Sequence, residues 1–223
     1  MTAQLTFDGE WRAAVTDDPL PIAPRFTGTS VDVVQYADVK ERERWLLGTF
    51  GSQDWLWDTP DVFRFDPAGR NLVGAEFQLP GETASAEDAA RVPVTPAARP
   101  GGLRADEARD FRHEITTVLC RAPGDTVLTC LRDLEVLDEP LEARIGIAPD
   151  VALLVQHGTV VGWSLTDPVR YLTTTFADPD PGPPSPEARR LLTECLDLTT
   201  EPVLEDVEDG DPVALARLRA ADE

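Results

Sequence analysis

The sequence predicts an α+β fold, an antiparallel sheet built from hairpins with helices packed on one face. Two stretches, DVFRFDPAGRNLVGAEFQLP from Asp61 to Pro80 and DVALLVQHGTVVGWSLTDP from Asp150 to Pro168, each follow a proline, begin Asp-Val, turn at a glycine and leave through Val-Gly. Apolar residues alternate along their arms, the period of a half-buried strand. A third observation is helical spacing of apolar residues ahead of each hairpin, at about 39–49 and 105–121.

Taken in order, QLTFDGEWR places Asp8-Gly9 between short half-apolar arms, the chemistry of a tight hairpin turn. A loose segment follows from Thr16 to Ser30, and SVDVVQY then reads as a strand. Asp38 can cap a helix and Glu41 completes a capping box, with Val39, Leu46, Leu47 and Phe50 as an imperfect apolar stripe. QDWLWD is a strand. In the first hairpin, Asp66-Pro67-Ala68-Gly69 makes a type I turn with Gly69 available for positive φ. Val73, Ala75, Phe77 and Leu79 alternate in the returning arm, which leaves Glu76 and Gln78 on a wet face.

Residues 81–104 hold few large apolar side chains and a Gly-Gly pair, so they read as a linker or mobile loop. The helix expected over 105–121 carries Phe111, Ile115, Val118 and Leu119 on one stripe and ends before Pro123-Gly124. Strands are expected at 126–136 and 143–148, then the second hairpin with His157-Gly158 as its turn. VRYLTTTF is strand-like, and ADPDPGPPSPE is a proline-rich linker. Ser185-Pro186 opens a helix striped by Leu191, Leu192, Cys195 and Leu196, and Asp211-Pro212 starts a last short one.

The organisation expected is therefore an N-terminal α+β half at 1–80, the linker at 81–104, a second α+β half at 105–176, and a proline-rich linker with C-terminal helices at 177–223. Two such halves suggest an old duplication. Coincidence is the alternative, because glycine-turned hairpins are common.

A chain of 223 residues can bury roughly three quarters of its unfolded surface, so a core without staples is attainable. Cys120, Cys130 and Cys195 are odd in number and widely spaced, which suits neither a disulfide framework nor a zinc cluster. Reduced, mostly buried thiols are expected. MTAQLTFDGEW has no basic segment leading into an apolar stretch, and no apolar run has the length of a membrane span. The expected location is the cytoplasm.

Charge is the dominant global feature: 41 acidic against 20 basic residues give −21, with Lys40 the one lysine. Such a field repels phosphate backbones and anionic lipid, so neither nucleic acid nor membrane is an expected partner, whereas a basic protein is attracted. Solubility, or a salty cytoplasm, explains the same charge without any partner.

Catalytic signatures are missing. Asp106, Asp110 and His113, with Glu114 beside them, have helical spacing suited to a metal, yet they fall opposite the apolar stripe, and HEITT lacks the second histidine of zinc proteases. There is no Gly-x-Ser-x-Gly, no Ser-x-x-Lys and no phosphate-cradling glycine loop. No catalytic residue, metal or cofactor is assigned. Trp55 and Trp57 alternate around Leu56 and so share one strand face, flanked by Asp54 and Asp58. They read either as a core wall or as an aromatic anchor ringed by acids. With the acidic run at Glu205, Asp206, Glu208 and Asp209, these form the candidate partner-binding set.

The leading expectation is a non-enzymatic acidic protein that masks a basic protein partner, in the manner of an immunity protein or antitoxin. The alternatives are a carboxylate-based hydrolase, with or without a divalent ion, and a structural or assembly component. Oligomeric state is not legible in the sequence. A deep site with converging carboxylates separates the hydrolase from the binder.

Overall fold

The computed structural model describes residues 4–7, 11–52, 61–113, 115–174 and 176–221. The strands are β1 (Gln4–Thr6), β2 (Arg12–Thr16), β3 (Arg25–Phe26), β4 (Ser30–Val33), β5 (Phe50–Gly51), β6 (Val62–Phe65), β7 (Leu72–Gln78), β8 (Glu82–Thr83), β9 (Arg99–Pro100), β10 (Gly102–Ala105), β11 (Val118–Arg121), β12 (Val127–Leu131), β13 (Ala143–Ala148), β14 (Val151–Gln156) and β15 (Thr159–Thr166). The helices are α1 (Val39–Gly48), α2 (Ala86–Ala89), α3 (Pro186–Thr199), α4 (Val203–Glu208) and α5 (Pro212–Ala221). The fold is mixed α+β.

Two sheets result. The smaller is antiparallel, in the order β3-β4-β7-β6-β5, and contains the first hairpin. The larger contains the second hairpin. In it β15 pairs with β14 on one side, and on the other with β1 at Thr159 and β12 at Gly162–Thr166. From β1 the pairing passes to β2 and β10, and β9, joined to β10 through Gly101, lies parallel to β13. Since β13 pairs with β14, the ladder returns to β15 as a closed ring, from which β12, β11 and β8 branch off with β8 as the edge strand. The seam is tight: a Cβ on Gly102 would lie 2.2 Å from the Asp18 carbonyl oxygen, so only glycine fits.

The core lies between the sheets. Phe77 of β7 meets Trp163 of β15 with ring centroids 5.0 Å apart, and Trp11 stacks on Phe111 at 3.9 Å. Phe7, Phe63 and Phe65 complete the aromatic cluster, all buried. Each such side chain contributes about 1.5–3 kcal/mol on burial. Helix α3 adds Leu192 and Leu196 to this same core, while Arg121 of β11 bonds Asp125 at 2.7 Å and Asp197 at 2.6 Å.

Turn chemistry fixes both hairpins. His157 and Gly158 have φ of 50° and 71°, the two left-handed residues of a type I′ turn. In the first hairpin the Asp66 carboxylate accepts the N–H groups of Ala68, Gly69 and Asn71. The positive φ there, 60°, falls on Arg70 and not on Gly69. Helix α1 is capped as the sequence implies, with Asp38 accepting from the Glu41 N–H at 2.7 Å.

Three expectations are corrected. The described residues of 105–121, all but 114, form no helix: Phe111 is pinned in the aromatic cluster and bridged to Ser52, and Val118–Arg121 is β11. The run Ile115-Thr116-Thr117-Val118 is β-branched throughout, which costs helix and favours extended chain. The described residues of 169–176, all but 175, form no strand, since Asp167 at φ 48° and Pro168 turn the chain into a single 3₁₀ turn, Pro168–Tyr171. The supposed linker at 81–104 contributes β8, α2, β9 and most of β10, held by backbone pairing, with Leu103 buried. The arms around Asp8-Gly9 pair as β1 and β2, with the Phe7 N–H donating to the Trp11 carbonyl. Asp8 and Gly9 themselves, and the expected QDWLWD strand, lie outside the described residues.

Candidate functional site

The densest polar constellation sits where α1 crosses the smaller sheet. Asp32 of β4 and Glu76 of β7 are directly opposite in the ladder, so their side chains emerge on one face. The Tyr36 hydroxyl donates to Glu76 at 2.6 Å, and Arg42 of α1 grips the same carboxylate through Nε at 3.0 Å and Nη2 at 2.7 Å. Glu76 is therefore buried beneath α1 and not wet. Close approach is possible because Gly74, in the same strand, leaves room for Trp45. A cleft of about 540 Å³ opens beside this group, bordered by Thr27, Asp32, Tyr36, Arg42, Glu76 and Phe176.

The two carboxyls differ in proton affinity. Burial, and then the neighbouring charge of Glu76, push Asp32 up to about 6. Burial also raises the Tyr36 hydroxyl above its usual range, with the Glu76 charge adding to it. The hydrogen bond to Glu76 raises the Arg42 guanidinium and keeps it charged. A carboxyl that exchanges its proton near neutrality, beside an anion clamped by a guanidinium, has the layout of an acid–base pair. The same bonds also fasten α1 to the sheet.

A second carboxyl is more deeply placed. Asp61, 1% exposed, accepts the Gln78 N–H at 3.0 Å and the Thr116 hydroxyl at 3.2 Å, and burial pushes it up to about 7. The Trp163 indole N–H lies nearby without reaching hydrogen-bond geometry. Cys130, also fully buried, has its thiol raised by burial and then by Asp61, so it is no nucleophile.

Of the candidate partner-binding set, Asp54, Trp55, Trp57 and Asp58 lie outside the described residues. Glu205 and Asp206 are exposed in the first turn of α4, where carboxylates complement the helix dipole, and Asp209 is exposed just beyond it. Glu208 ends that helix. The residues weighed as a metal cluster are dispersed: Asp106 accepts from Gln4, Asp110 accepts the Gly51 N–H, and the His113 ring packs on Phe7 and Phe63. Among the described residues no group of three or more His, Cys, Asp or Glu is arranged to hold a metal. Nor is any helix among them long and apolar enough to cross a membrane. Cys120, Cys130 and Cys195 are free thiols, the first two buried and Cys195 exposed. His157 is exposed at its turn, 2.5 Å from Glu139.

Sequence reasoning missed the group of Asp32, Tyr36, Arg42 and Glu76. Its one local signal is an acid inside each of two strongly apolar strands, SVDVV and LVGAEF. Comparison with protein-family models, with curated proteins and with solved structures found no match.

Proposed function

We propose that the chain is a non-enzymatic, cytoplasmic acidic protein that masks a basic protein partner, as an immunity protein or antitoxin does. The observation that carries this reading is the character of the C-terminal helices. Glu187, Glu205, Asp206, Asp209 and Asp211 are exposed there beside Leu191, Val213 and Leu218, which are 41%, 68% and 41% exposed. Apolar side chains among carboxylates supply an anchor and a steering field together. The internal ion pairs add support. Arginines such as Arg25, Arg42, Arg121 and Arg189 are tied to the chain's own carboxylates, so surplus negative charge is left to face outward. The test presents purified chain to basic proteins, beginning with products of adjacent genes. Saturable binding that weakens in a Glu205→Gln, Asp206→Asn, Asp209→Asn variant is expected. Turnover of a small-molecule substrate by the purified chain would overturn the reading.

The Asp32–Glu76 cleft favours the second reading, a carboxylate-based hydrolase with Asp32 as the proton-exchanging group. Any hydrolysis found must then vanish in Asp32→Asn.

A further inference from the structure

Three charged residues lie in register across the smaller sheet, Arg25 of β3, Asp32 of β4 and Glu76 of β7, and cross-strand pairing puts them on one face. The outer two each have a counter-ion. The Arg25 guanidinium is turned to Asp178 at 2.7 Å and to the Tyr36 carbonyl at 2.6 Å, and Glu76 is held by Arg42 at 2.7 Å. Asp32, between them, has none: among the described residues no basic side chain forms an ion pair with it, and Arg42 and Arg25 act on it only from a distance. The Ser30 hydroxyl is its side-chain hydrogen-bond partner. Two ion pairs and one lone carboxylate leave this face short of one positive charge.

The lone carboxylate borders the cleft of about 540 Å³. A second wall comes from the chain that runs along the edge of β3, where Leu172 bridges Phe26 and the Thr173 N–H donates to the Phe26 carbonyl at 2.9 Å. Phe176, three residues on, meets the Tyr36 ring edge to face, with centroids 5.8 Å apart and planes at 71°. A carboxylate, two aromatic rings and the hydroxyls of Thr27 and Ser30 thus share one space. Aromatic rings attract a cation and pack against hydrocarbon, whereas a bare metal ion asks for several oxygen ligands and makes no use of apolar walls. The missing partner has a cost: burial pushes the Asp32 carboxyl up to about 6, so at neutral pH its charge stands uncompensated.

We infer that this cleft binds a small organic ammonium ion, with the charge on Asp32 and the hydrocarbon body against Phe176 and Tyr36. The net charge of −21 favours such a ligand over an anion of the same size. Binding needs no turnover, so the site stands whether or not hydrolysis is found there, and it uses none of the helix residues assigned to a protein partner.

The probe is benzylamine, titrated by calorimetry at pH 8 in sodium phosphate beside benzyl alcohol, its uncharged counterpart. At that pH Asp32 is ionised, and the sodium present is a standing inorganic competitor. One saturable site is expected for the amine, with the alcohol weaker by about tenfold or more, since bonds to charged groups are the strong ones. Asp32→Asn keeps the size of the side chain and breaks no ion pair, so the chain should fold; it should weaken benzylamine by about tenfold and leave benzyl alcohol unchanged. Phe176→Leu serves as the second variant and should weaken both ligands several-fold, because it removes the ring. Absence of saturable binding, equal affinity for amine and alcohol, or benzylamine binding unaltered in either variant would each overturn the inference.

Discussion

Asp61 sits at the head of the first hairpin with its carboxyl sealed from water, and the proton it holds couples the fold to pH. Its pKa rises from an ordinary 3.8 to about 7 in the folded chain. Between those values the native state keeps a proton that the unfolded state has released, so stability falls as pH rises through that window and levels off above it. A rise of that size corresponds to about 4 kcal/mol at the upper limit. Asp32 moves in the same direction, to about 6, and contributes a parallel loss. Subtracting the urea-denaturation profile of Asp61→Asn from that of the natural chain between pH 4 and pH 8 therefore isolates Asp61. The asparagine still accepts from Gln78, and the difference should shrink or reverse sign toward pH 8. Parallel curves would contradict it. Arg42 makes the converse case: Glu76 is 4% exposed, and Arg42→Ala leaves its charge with Tyr36 as the remaining partner. A loss of about 3 kcal/mol in the same denaturation experiment is expected, because an uncompensated buried charge costs that much.

At the level of strands, glycine positions divide by what surrounds them. A Cβ at Gly162 would lie 2.3 Å from the Cys130 carbonyl oxygen, inside the β12–β15 ladder. Gly162→Ala should cost about 3 kcal/mol through forced separation of the strands. Gly48 meets nothing within 4 Å at the end of α1, so Gly48→Ala should be neutral or stabilise by about 0.5 kcal/mol. Equal thermal shifts for the two variants would refute the contrast. Local chemistry of this kind was legible in the sequence: the His157-Gly158 turn, the Asp38 cap and the Ser185-Pro186 start all act within a few residues. The closed ring was not legible. It depends on pairings such as Thr6 with Thr159 and Ile145 with Arg99, which join distant segments over one or two residues. The false helix at 105–121 arose because Phe111, Ile115, Val118 and Leu119 mimic a helical stripe while serving as an aromatic plug and a buried strand. The cluster of Asp32, Tyr36, Arg42 and Glu76 was hidden for a similar reason. Glu76 alternates like an exposed strand residue, and only the placement of α1 by Arg42 turns its face into a buried one.

For the molecule as a whole, salt separates two consequences of one charge. A net −21 repels itself in the folded state, and that repulsion is screened once separations exceed the Debye length of about 10 Å at 0.1 M salt. Ion pairs oppose this trend, but the close ones, such as Arg42 with Glu76 at 2.7 Å and Arg121 with Asp125 at 2.7 Å, are shielded from water and lose little. Melting temperature should therefore rise between 10 mM and 300 mM sodium chloride, by a few degrees if the stability gain is about 1 kcal/mol. Under the partner-masking proposal, association with a basic protein responds with the opposite sign. Steering by the acidic helices would then act at long range before contact, so the association rate should fall steeply over the same salt range while dissociation, which the proposal assigns to contacts such as the exposed Leu191 and Leu218, changes little. Measuring both on one preparation distinguishes charge that serves recognition from charge that serves a salty interior. A rise in melting temperature together with salt-insensitive association by every binder found would leave the acidity with a solvation role and remove the electrostatic half of the partner-masking proposal.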